Sequence, residues 1–314
     1  MGLVWLDDTS YLWARMPRPA GAPAGGAGSA VELLRVNAVT GESSAFLDVG
    51  RMEAALAALP GVSADEAGRL ARGRLSLNPA RTAALVTLGG DLYHYDLTTA
   101  KVVRLTSDPG EELDAAYSPD GRMVAFTRGG NLVVVDVADG RERQLTTDGG
   151  PQRLNGRLDW VYQEELYGRG TYRAFWWSPD STRLAFLQLD ERSVPEFTLV
   201  DHIPHRQGRE VCDYPKGGEP SPPVRLGVVA ATGGVTRTDL PMNLVRPEEG
   251  GITWVDTSKY SASEHLIVNV AWSPDGRQVV YQLQDREQTW LDLNAAAATS
   301  GVSKTLFRET TRAW

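Results

Sequence analysis

The sequence predicts an all-β protein, a partial β-propeller of four-stranded antiparallel blades with a small helical insertion near the N-terminus. Three observations carry this. One strand-turn-strand plan recurs from Leu75 onward. Alternating strands separated by polar turns fill the intervals between its copies. Helical periodicity is confined to about residues 51–72 and to one short turn near residue 160. Four strands per repeat at a period of tens of residues is the pattern of propeller blades.

Taken in order, Val4-Trp5-Leu6 and Tyr11-Leu12-Trp13 read as strands around an Asp7-Asp8-Thr9-Ser10 turn. Pro17 to Ser29 is nearly all Pro, Gly and Ala, which supplies no side chains for a core and reads as a flexible loop. Strand character resumes from Val31 to Val36, and Thr40-Gly41-Glu42 forms the turn before the next strand. From Arg51 to Leu59 and from Ser63 to Arg72, apolar residues recur at spacings of three and four in Ala-, Leu- and Glu-rich sequence. Two short helices follow, broken at Pro60-Gly61, with Ser63 placed to cap the second ahead of Glu66.

Four segments then share one plan: Leu75 to Val86, Ala116 to Phe126, Trp176 to Phe186 and Ala271 to Tyr281. Each joins an apolar or aromatic strand end to an alternating strand through a Ser-Pro-Asp-Gly type turn, as in Ser118-Pro119-Asp120-Gly121 and Ser273-Pro274-Asp275-Gly276. Pro fixes φ at the first corner, and Asp with Gly tolerates the corner where φ becomes positive. Further strands such as Asp91 to Leu97 and Asn131 to Val137 lie between. Ser118 to Ser178 spans 60 positions and Ser178 to Ser273 spans 95, against ~40–45 for a plain blade. The middle blades therefore carry insertions, one of them over about residues 153–170.

Composition narrows the function classes. The chain has 314 residues, 42% hydrophobic and 23% charged, which is globular and excludes a disordered chain. Its 40 acidic and 32 basic residues give a formal charge of −8 with no long basic run. That argues against nucleic acid or an anionic membrane surface as partner and favours a cationic ligand. Cys212 is the only cysteine, so neither an intrachain disulfide nor a cysteine-based zinc site can form. Met1 to Asp8 lacks a signal-peptide pattern, and no window approaches the ~18 apolar residues of a membrane span. With Met1 as the native start, a soluble cytoplasmic protein is expected, with no metal and no cofactor.

Within the insertion, Asp159-Trp160-Val161-Tyr162-Gln163-Glu164-Glu165-Leu166 sets two adjacent carboxylates in an aromatic and apolar frame. Asp159 is placed to cap a short helix, and Trp160, Val161, Tyr162 and Leu166 give that helix faces to dock. Glu164 and Glu165 remain to be explained. Neighbouring carboxylates repel, so a site that keeps both ionised needs a cation, from a side chain or a ligand. The plain alternative is the wet side of a surface helix.

Catalytic signatures are absent from the sequence. There is no Gly-x-Ser-x-Gly; the nearest match, Gly41-Glu42-Ser43-Ser44-Ala45, falls in a hairpin turn rather than between a strand and a helix. No P-loop and no His-Glu-x-x-His occurs. His202-Ile203-Pro204-His205 offers two imidazoles, but Pro204 breaks helical spacing and no thiolate completes a zinc set, which leaves surface histidines.

Several separated motifs form an ordered set. Asp159 to Glu165 resembles an Asp-Trp-Val-Tyr-Glu-Glu-Glu signature, and Trp176-Trp177-Ser178-Pro179 follows it. Tyr214-Pro215-Lys216-Gly217-Gly218 with Pro223-Val224-Arg225 is similar to a Tyr-Pro-Lys-x-Gly segment. Gln284-Asp285-Arg286-Glu287-Gln288-Thr289 is similar to an Asn-Arg-x-Gln-Asn strand, from which Asp285 and Thr289 depart. From about Leu75 to Trp314 the chain thus resembles the N-terminal β-propeller of the dipeptidyl peptidase IV subgroup of prolyl oligopeptidase-type serine peptidases.

The resemblance implies roles. The last two glutamates of the family signature, matching Glu164 and Glu165, grip the α-ammonium of a peptide with a free N-terminus, so that cleavage falls after the second residue. Tyr162, Trp160 and Asp159 would support that turn. Gln163 replaces the first glutamate of the signature. The family also binds substrate with an arginine elsewhere in its propeller, and no residue here is matched to it. Tyr214-Pro215-Lys216 is read as loop-shaping.

By the same resemblance the ring has eight blades and precedes an α/β-hydrolase domain that carries serine, aspartate and histidine. Residues 1–314 would then be an incomplete N-terminal propeller, about half the ring, without the catalytic domain. Such a chain is expected to be inactive alone and poorly soluble. Its expected partners are the peptide, the missing hydrolase domain and, in the complete protein, a second copy. The other readings are a non-catalytic propeller module that binds peptides or proteins, and a transport-associated propeller. The Glu-Glu signature and the Tyr-Pro-Lys segment speak against the last.

Overall fold

The structure, a computed structural model, describes residues 4–15, 32–73, 75–233, 235–236, 251–260 and 264–311. The stretch expected to be a flexible loop, Pro17 to Ser29, lies outside the described residues. The chain divides into two compact units, Met1–Ser107 and Asp108–Trp314.

The first unit holds two four-stranded antiparallel sheets and two helices. One sheet runs in chain order through β1 (Val4–Trp5), β2 (Ser10–Arg15), β3 (Glu32–Asn37) and β4 (Ser43–Ala45). Helix α1 (Val49–Ala57) begins two residues before the apolar periodicity does, because the Asp48 side chain accepts the Arg51 N–H at 2.9 Å and caps it there. Helix α2 (Ala64–Ala71) starts where its cap predicts, with Ser63 accepting the Glu66 N–H at 3.2 Å. The second sheet is β5 (Ser76–Leu77), β6 (Ala83–Leu88), β7 (Asp91–Asp96) and β8 (Val102–Arg104), again in chain order. Met52, Leu56, Ala67 and Ala71 on the helices are buried in one core with Leu12, Leu33, Val86 and Tyr95 of the strands.

The second unit carries the later repeats. Strands β9 (Leu113–Tyr117), β10 (Met123–Arg128), β11 (Asn131–Asp136) and β12 (Glu142–Gln144) form one antiparallel blade. The next is built on β13 (Arg153–Asn155), β14 (Phe175–Trp177) and β15 (Arg183–Asp190). A two-stranded hairpin, β16 (Glu196–Asp201) with β17 (Gly208–Asp213), then intervenes before β18 (Val224–Ala230) resumes the blade beside β15. Strand β19 (Val235–Thr236) pairs with β12, and β20 (Ile252–Trp254) pairs with β18. The last sheet is β21 (His265–Trp272), β22 (Gln278–Asp285), β23 (Trp290–Ala297) and β24 (Ser303–Thr310), in chain order. The fold is all-β, made of the blades of a propeller, and the hairpin of β16 and β17 accounts for much of the long interval before Ser273.

The repeated turn has one construction. The hydroxyls of Ser118, Ser178 and Ser273 each donate to the Asp two positions on at 2.6 Å. Each also accepts the backbone N–H five positions on, at 3.0, 2.9 and 3.0 Å. Gly121 and Gly276 take the left-handed corner at φ +74° and +67°. The middle copy has Ser181 there at φ +62°, a conformation costly for a residue with a Cβ. Its hydroxyl offsets part of that cost by accepting the Asp120 N–H of the preceding blade at 3.0 Å.

Neighbouring blades are joined at the residue before Ser178 and before Ser273. Trp177 donates its indole N–H to the Ala116 carbonyl at 3.3 Å, and Trp272 donates to the Trp176 carbonyl at 2.9 Å. The two departures noted in the Gln284–Thr289 segment satisfy each other. The Asp285 carboxylate accepts the Thr289 N–H at 2.8 Å and the Thr289 hydroxyl at 2.6 Å, which shapes the turn from β22 into β23.

A hydrogen bond contributes about 1 kcal/mol net, and the Trp272–Trp176 bond is part-buried. Trp272→Phe should therefore lower the urea midpoint by an amount equivalent to about 1 kcal/mol, with an unchanged denaturant slope. A midpoint identical to that of the parent chain would show that the indole contact contributes nothing.

Candidate functional site

Strands β13 and β14 are one interrupted strand. Since β18 covers the other edge of β15 over Arg183–Leu189, both lie along a single edge, with Asn155 opposite Gln188 and Phe175 opposite Phe186. Between them the Gly156 N–H donates to the Leu187 carbonyl at 2.8 Å, and the Leu187 N–H donates to Ala174 at 2.9 Å. The chain leaves at 157 and re-enters at 173, with Arg157 and Arg173 bridged across the neck. Gly156 stands at the exit with φ +80°, where a Cβ would also meet Leu132, Phe175 and Thr127 at 3.2–3.4 Å. Only glycine combines that backbone conformation with that proximity. The result is a loop projected from a rigid ladder.

The loop folds into a wide helical turn. The Asp159 carboxylate accepts the Tyr162 N–H at 2.8 Å, capping the start. Over Tyr162–Leu166 the turn is π-helical, closed by the Tyr167 N–H donating to the Tyr162 carbonyl at 2.9 Å. A five-residue repeat brings the rings of Tyr162 and Tyr167 together, at 6.3 Å and 27° between planes. Both hydroxyls then engage a single residue of β21. The Ile267 N–H donates to the Tyr162 hydroxyl at 3.4 Å, and the Tyr167 hydroxyl donates to the Ile267 carbonyl at 3.1 Å. Strand β21 shifts register between Ile267 and Asn269, next to that contact. Tyr162 is fully buried beside Leu158, Leu187 and Tyr281, and burial of so large a side chain contributes roughly 1.5–3 kcal/mol.

With Tyr162 turned inward, Glu165 faces solvent and Glu164 lies part-buried beside it. The Glu164 side chain is 15% exposed and forms an ion pair with Arg169, whose side chain is 84% exposed. Gln163 is buried beneath them: its carbonyl oxygen accepts the Gly170 N–H at 2.8 Å, and its amide reaches the Glu164 carboxylate at 3.5 Å. Glu165 is exposed and makes no ion pair or hydrogen bond among the described residues. Trp160, 38% exposed, packs edge-on against Tyr214 at 4.9 Å, and Tyr214 in turn meets Phe197 at 5.9 Å. The Tyr214-Pro215-Lys216 loop thereby abuts the site, with the Lys216 ammonium 5.1 Å from the Phe197 ring. Glu164, Glu165, Trp160, Tyr162 and Asp159 thus share one turn, of which Glu164, Glu165 and Trp160 reach solvent.

The remaining sequence candidates lie elsewhere. His202 and His205 are exposed at the tip of the β16–β17 hairpin, where the His202 ring contacts the Gln207 amide at 3.1 Å. Gly41 to Ala45 forms the turn and strand at the edge of the first sheet. Among the described residues no group of three or more His, Cys, Asp or Glu is arranged to hold a metal, and no helix is long and apolar enough to cross a membrane. Three members of the site were not evident from sequence: Gln163 as a clamp, Tyr167 as the second anchor, and Arg169 as a counter-ion. The signal for Arg169 was its place in Gly168-Arg169-Gly170. A spacing of five, as between Tyr162 and Tyr167, matches neither helical nor strand periodicity.

Residues 85–314 match the family described as the dipeptidyl peptidase IV (DPP IV) N-terminal region. The chain is similar to a "Probable dipeptidyl peptidase 4" of Emericella nidulans, 34% identical over 223 residues, which covers 64% of this chain and 28% of that protein. It is also similar to a "Probable dipeptidyl-aminopeptidase B" of Talaromyces marneffei, 30% identical over 202 residues, covering 60% of this chain and 20% of that one. The chain therefore spans about a quarter of the length of these relatives. The crystal structure of Porphyromonas gingivalis dipeptidyl peptidase 4 superposes with a TM-score of 0.73 at 21% identity, over 99% of this chain and 40% of that one.

Behind the turn lie two buried acids. Asp159 is 4% exposed, and its second carboxylate oxygen has no hydrogen-bond partner among the described residues. Burial pushes its pKa up to about 6, against hydrogen bonds from Tyr162 and Val161 that favour the charge. Glu191, at the end of β15 and 7% exposed, is pushed up to about 8 by burial, with the charges of Asp159 and Asp213 adding to it. A carboxyl whose folded pKa is raised contributes full stability below its ordinary value of 4.5 and loses it as pH rises through about 8. Each tenfold change in proton affinity corresponds to about 1.4 kcal/mol. Glu191→Gln should thus gain stability over the parent on the order of a few kcal/mol at pH 9 and little at pH 4.5, measured by urea denaturation. Parallel stability curves for the two chains would refute the assignment.

Proposed function

This chain belongs to the dipeptidyl peptidase IV N-terminal region family, and we propose that Glu164 and Glu165 bind the free α-ammonium of a peptide substrate. The observation that supports the reading is an adjacent pair of carboxylates, one exposed and one part-buried, on a turn tied at both of its tyrosines to a neighbouring strand. Glu164 is already held by a cation, and Glu165 is open to solvent. An ammonium carries three donors, and charge-assisted hydrogen bonds to ionised acceptors are worth about 1.5–3 kcal/mol each. Two acceptors side by side therefore suit it better than they suit a neutral or anionic group.

For the whole protein the reading is a serine exopeptidase that releases N-terminal dipeptides, with this chain as its substrate-recognition propeller. The nucleophile, its base and the orienting acid would be carried by a hydrolase domain. The carboxylate pair would act as a ruler. A peptide held by its N-terminus against a fixed turn presents one particular bond to a nucleophile at a fixed distance, which is catalysis by positioning. Peptides with a blocked N-terminus would lose both the charge and the register.

The test uses the tripeptide Ala-Pro-Ala and its N-acetylated form, titrated into the chain by calorimetry at low ionic strength. The free peptide should bind at least tenfold more tightly than the acetylated one. Glu164→Gln and Glu165→Gln should each remove most of that difference. Equal binding of the two peptides, or a difference that survives both substitutions, would sink the reading.

A further inference from the structure

We propose that Arg169 is the resident cation of the Glu164 carboxylate, occupying it while the site is empty and giving it up to an arriving ammonium. Arg169 thereby sets the affinity of the site by competition and holds the Glu164, Glu165 and Arg169 group at one net negative charge. The inference rests on the ammonium-binding reading of the glutamate pair.

The turn is built to place this side chain and leave it free to move. Gly168 and Gly170, on either side of Arg169, take φ +98° and +83°, and a Cβ on either would meet nothing within 4 Å. Glycine is required there by backbone conformation, not by space. The Thr171 N–H donates to the Gly168 carbonyl at 3.0 Å, and the Gly170 N–H donates to the buried side chain of Gln163 at 2.8 Å. The Arg169 backbone is therefore fixed opposite Glu164. Its side chain is 84% exposed, so water is available to it when it leaves Glu164.

The same geometry says which partner an ammonium displaces. In the empty site one Glu164 oxygen is taken by Arg169 and the other is approached by the Gln163 amide at 3.5 Å. Gln163 is 3% exposed and tied at its carbonyl end to Gly170, so it cannot leave. Arg169 can, because an exposed guanidinium exchanges a carboxylate for water at little net cost. Gln163 also explains why an amide suits this position. A carboxylate there could still accept from Gly170, but it could not donate to Glu164 and would add a third negative charge beside it.

Charge matching follows. With Arg169 present, two carboxylates and one guanidinium leave a single negative charge for a singly charged ammonium. Without it the site carries two, and attraction for any cationic ligand rises, most at low salt, where screening is weakest.

The experiment titrates Ala-Pro-Ala and N-acetyl-Ala-Pro-Ala into the parent chain, Arg169→Ala, Arg169→Lys, Glu164→Gln and the Arg169→Ala/Glu164→Gln double variant, at low and at physiological salt. Because Arg169 is exposed, Arg169→Ala and Arg169→Lys should keep the parent circular-dichroism spectrum and melting temperature. Arg169→Ala should bind the free tripeptide about 3- to 10-fold more tightly at low salt, with a smaller gain at physiological salt. Arg169→Lys should stay near the parent. In the Glu164→Gln background the Arg169→Ala gain should vanish. If the parent prefers the free tripeptide but Arg169→Ala binds it equally or more weakly, competition is wrong and the ammonium site stands. A gain that persists without Glu164 also overturns the competition. If the parent binds both peptides alike, both readings fall together.

Discussion

The site depends on one residue's backbone. Ile267 gives its N–H to Tyr162 and its carbonyl receives Tyr167, so a loop leaving one blade is pinned at two points to the first strand of the next sheet. This arrangement requires a turn that brings residues five apart onto one face, and the π-helical turn supplies it. An ordinary α-helical turn would rotate Tyr167 away from Tyr162 by most of a residue's step, and one of the two anchors would be lost. Everything outward of the tyrosines inherits its position from them. Glu164 and Glu165 lie between the anchors, and Gln163 reaches from the same turn to hold the Gly168–Gly170 segment.

Rigid placement has an energetic counterpart. Asp159 caps the turn from a buried position, and one of its oxygens has no partner among the described residues. Glu191 is buried close enough for the two charges to oppose each other. Neither arrangement favours stability at neutral or alkaline pH, and both lie directly behind the projecting loop. The surrounding sheets offset them with ordinary means: the fully buried Leu187, Leu189 and Tyr281, and indole links between successive sheets. Local cost concentrated beside a projecting turn, on an otherwise regular scaffold, is the distribution expected where a scaffold supports a binding site.

The scaffold was largely legible in the sequence because its rules are local. A Ser-Pro-Asp-Gly turn carries its own chemistry within five residues, and each copy folded the same way, including the Ser181 variant with its compensating hydrogen bond. The helices were visible by periodicity and by Ser63, although Asp48 moved the first start because a cap outranks the first apolar residue. The long interval between Ser178 and Ser273 pointed to an insertion, but not to the β16–β17 hairpin. Its strands are mostly exposed, so they lack the one-sided apolar alternation that marks a half-buried strand. In the site, the glutamates stood out as an adjacent pair in a distinctive motif. Arg169, Tyr167 and Glu191 did not, because each acquires its meaning from a partner: Glu164 across a glycine turn, Ile267 at 100 positions' remove, Asp159 through the packed interior.

We propose that a peptide's ammonium binds Glu164 and Glu165 and takes the place of the Arg169 guanidinium at Glu164. The most direct test is a crystal structure of the chain grown with Ala-Pro-Ala. The peptide's terminal nitrogen should lie within hydrogen-bond distance of both carboxylates, with Arg169 turned into solvent and Tyr162, Tyr167 and Ile267 unmoved. A peptide seated elsewhere, or an ammonium bound while Arg169 keeps its contact with Glu164, would contradict the proposal.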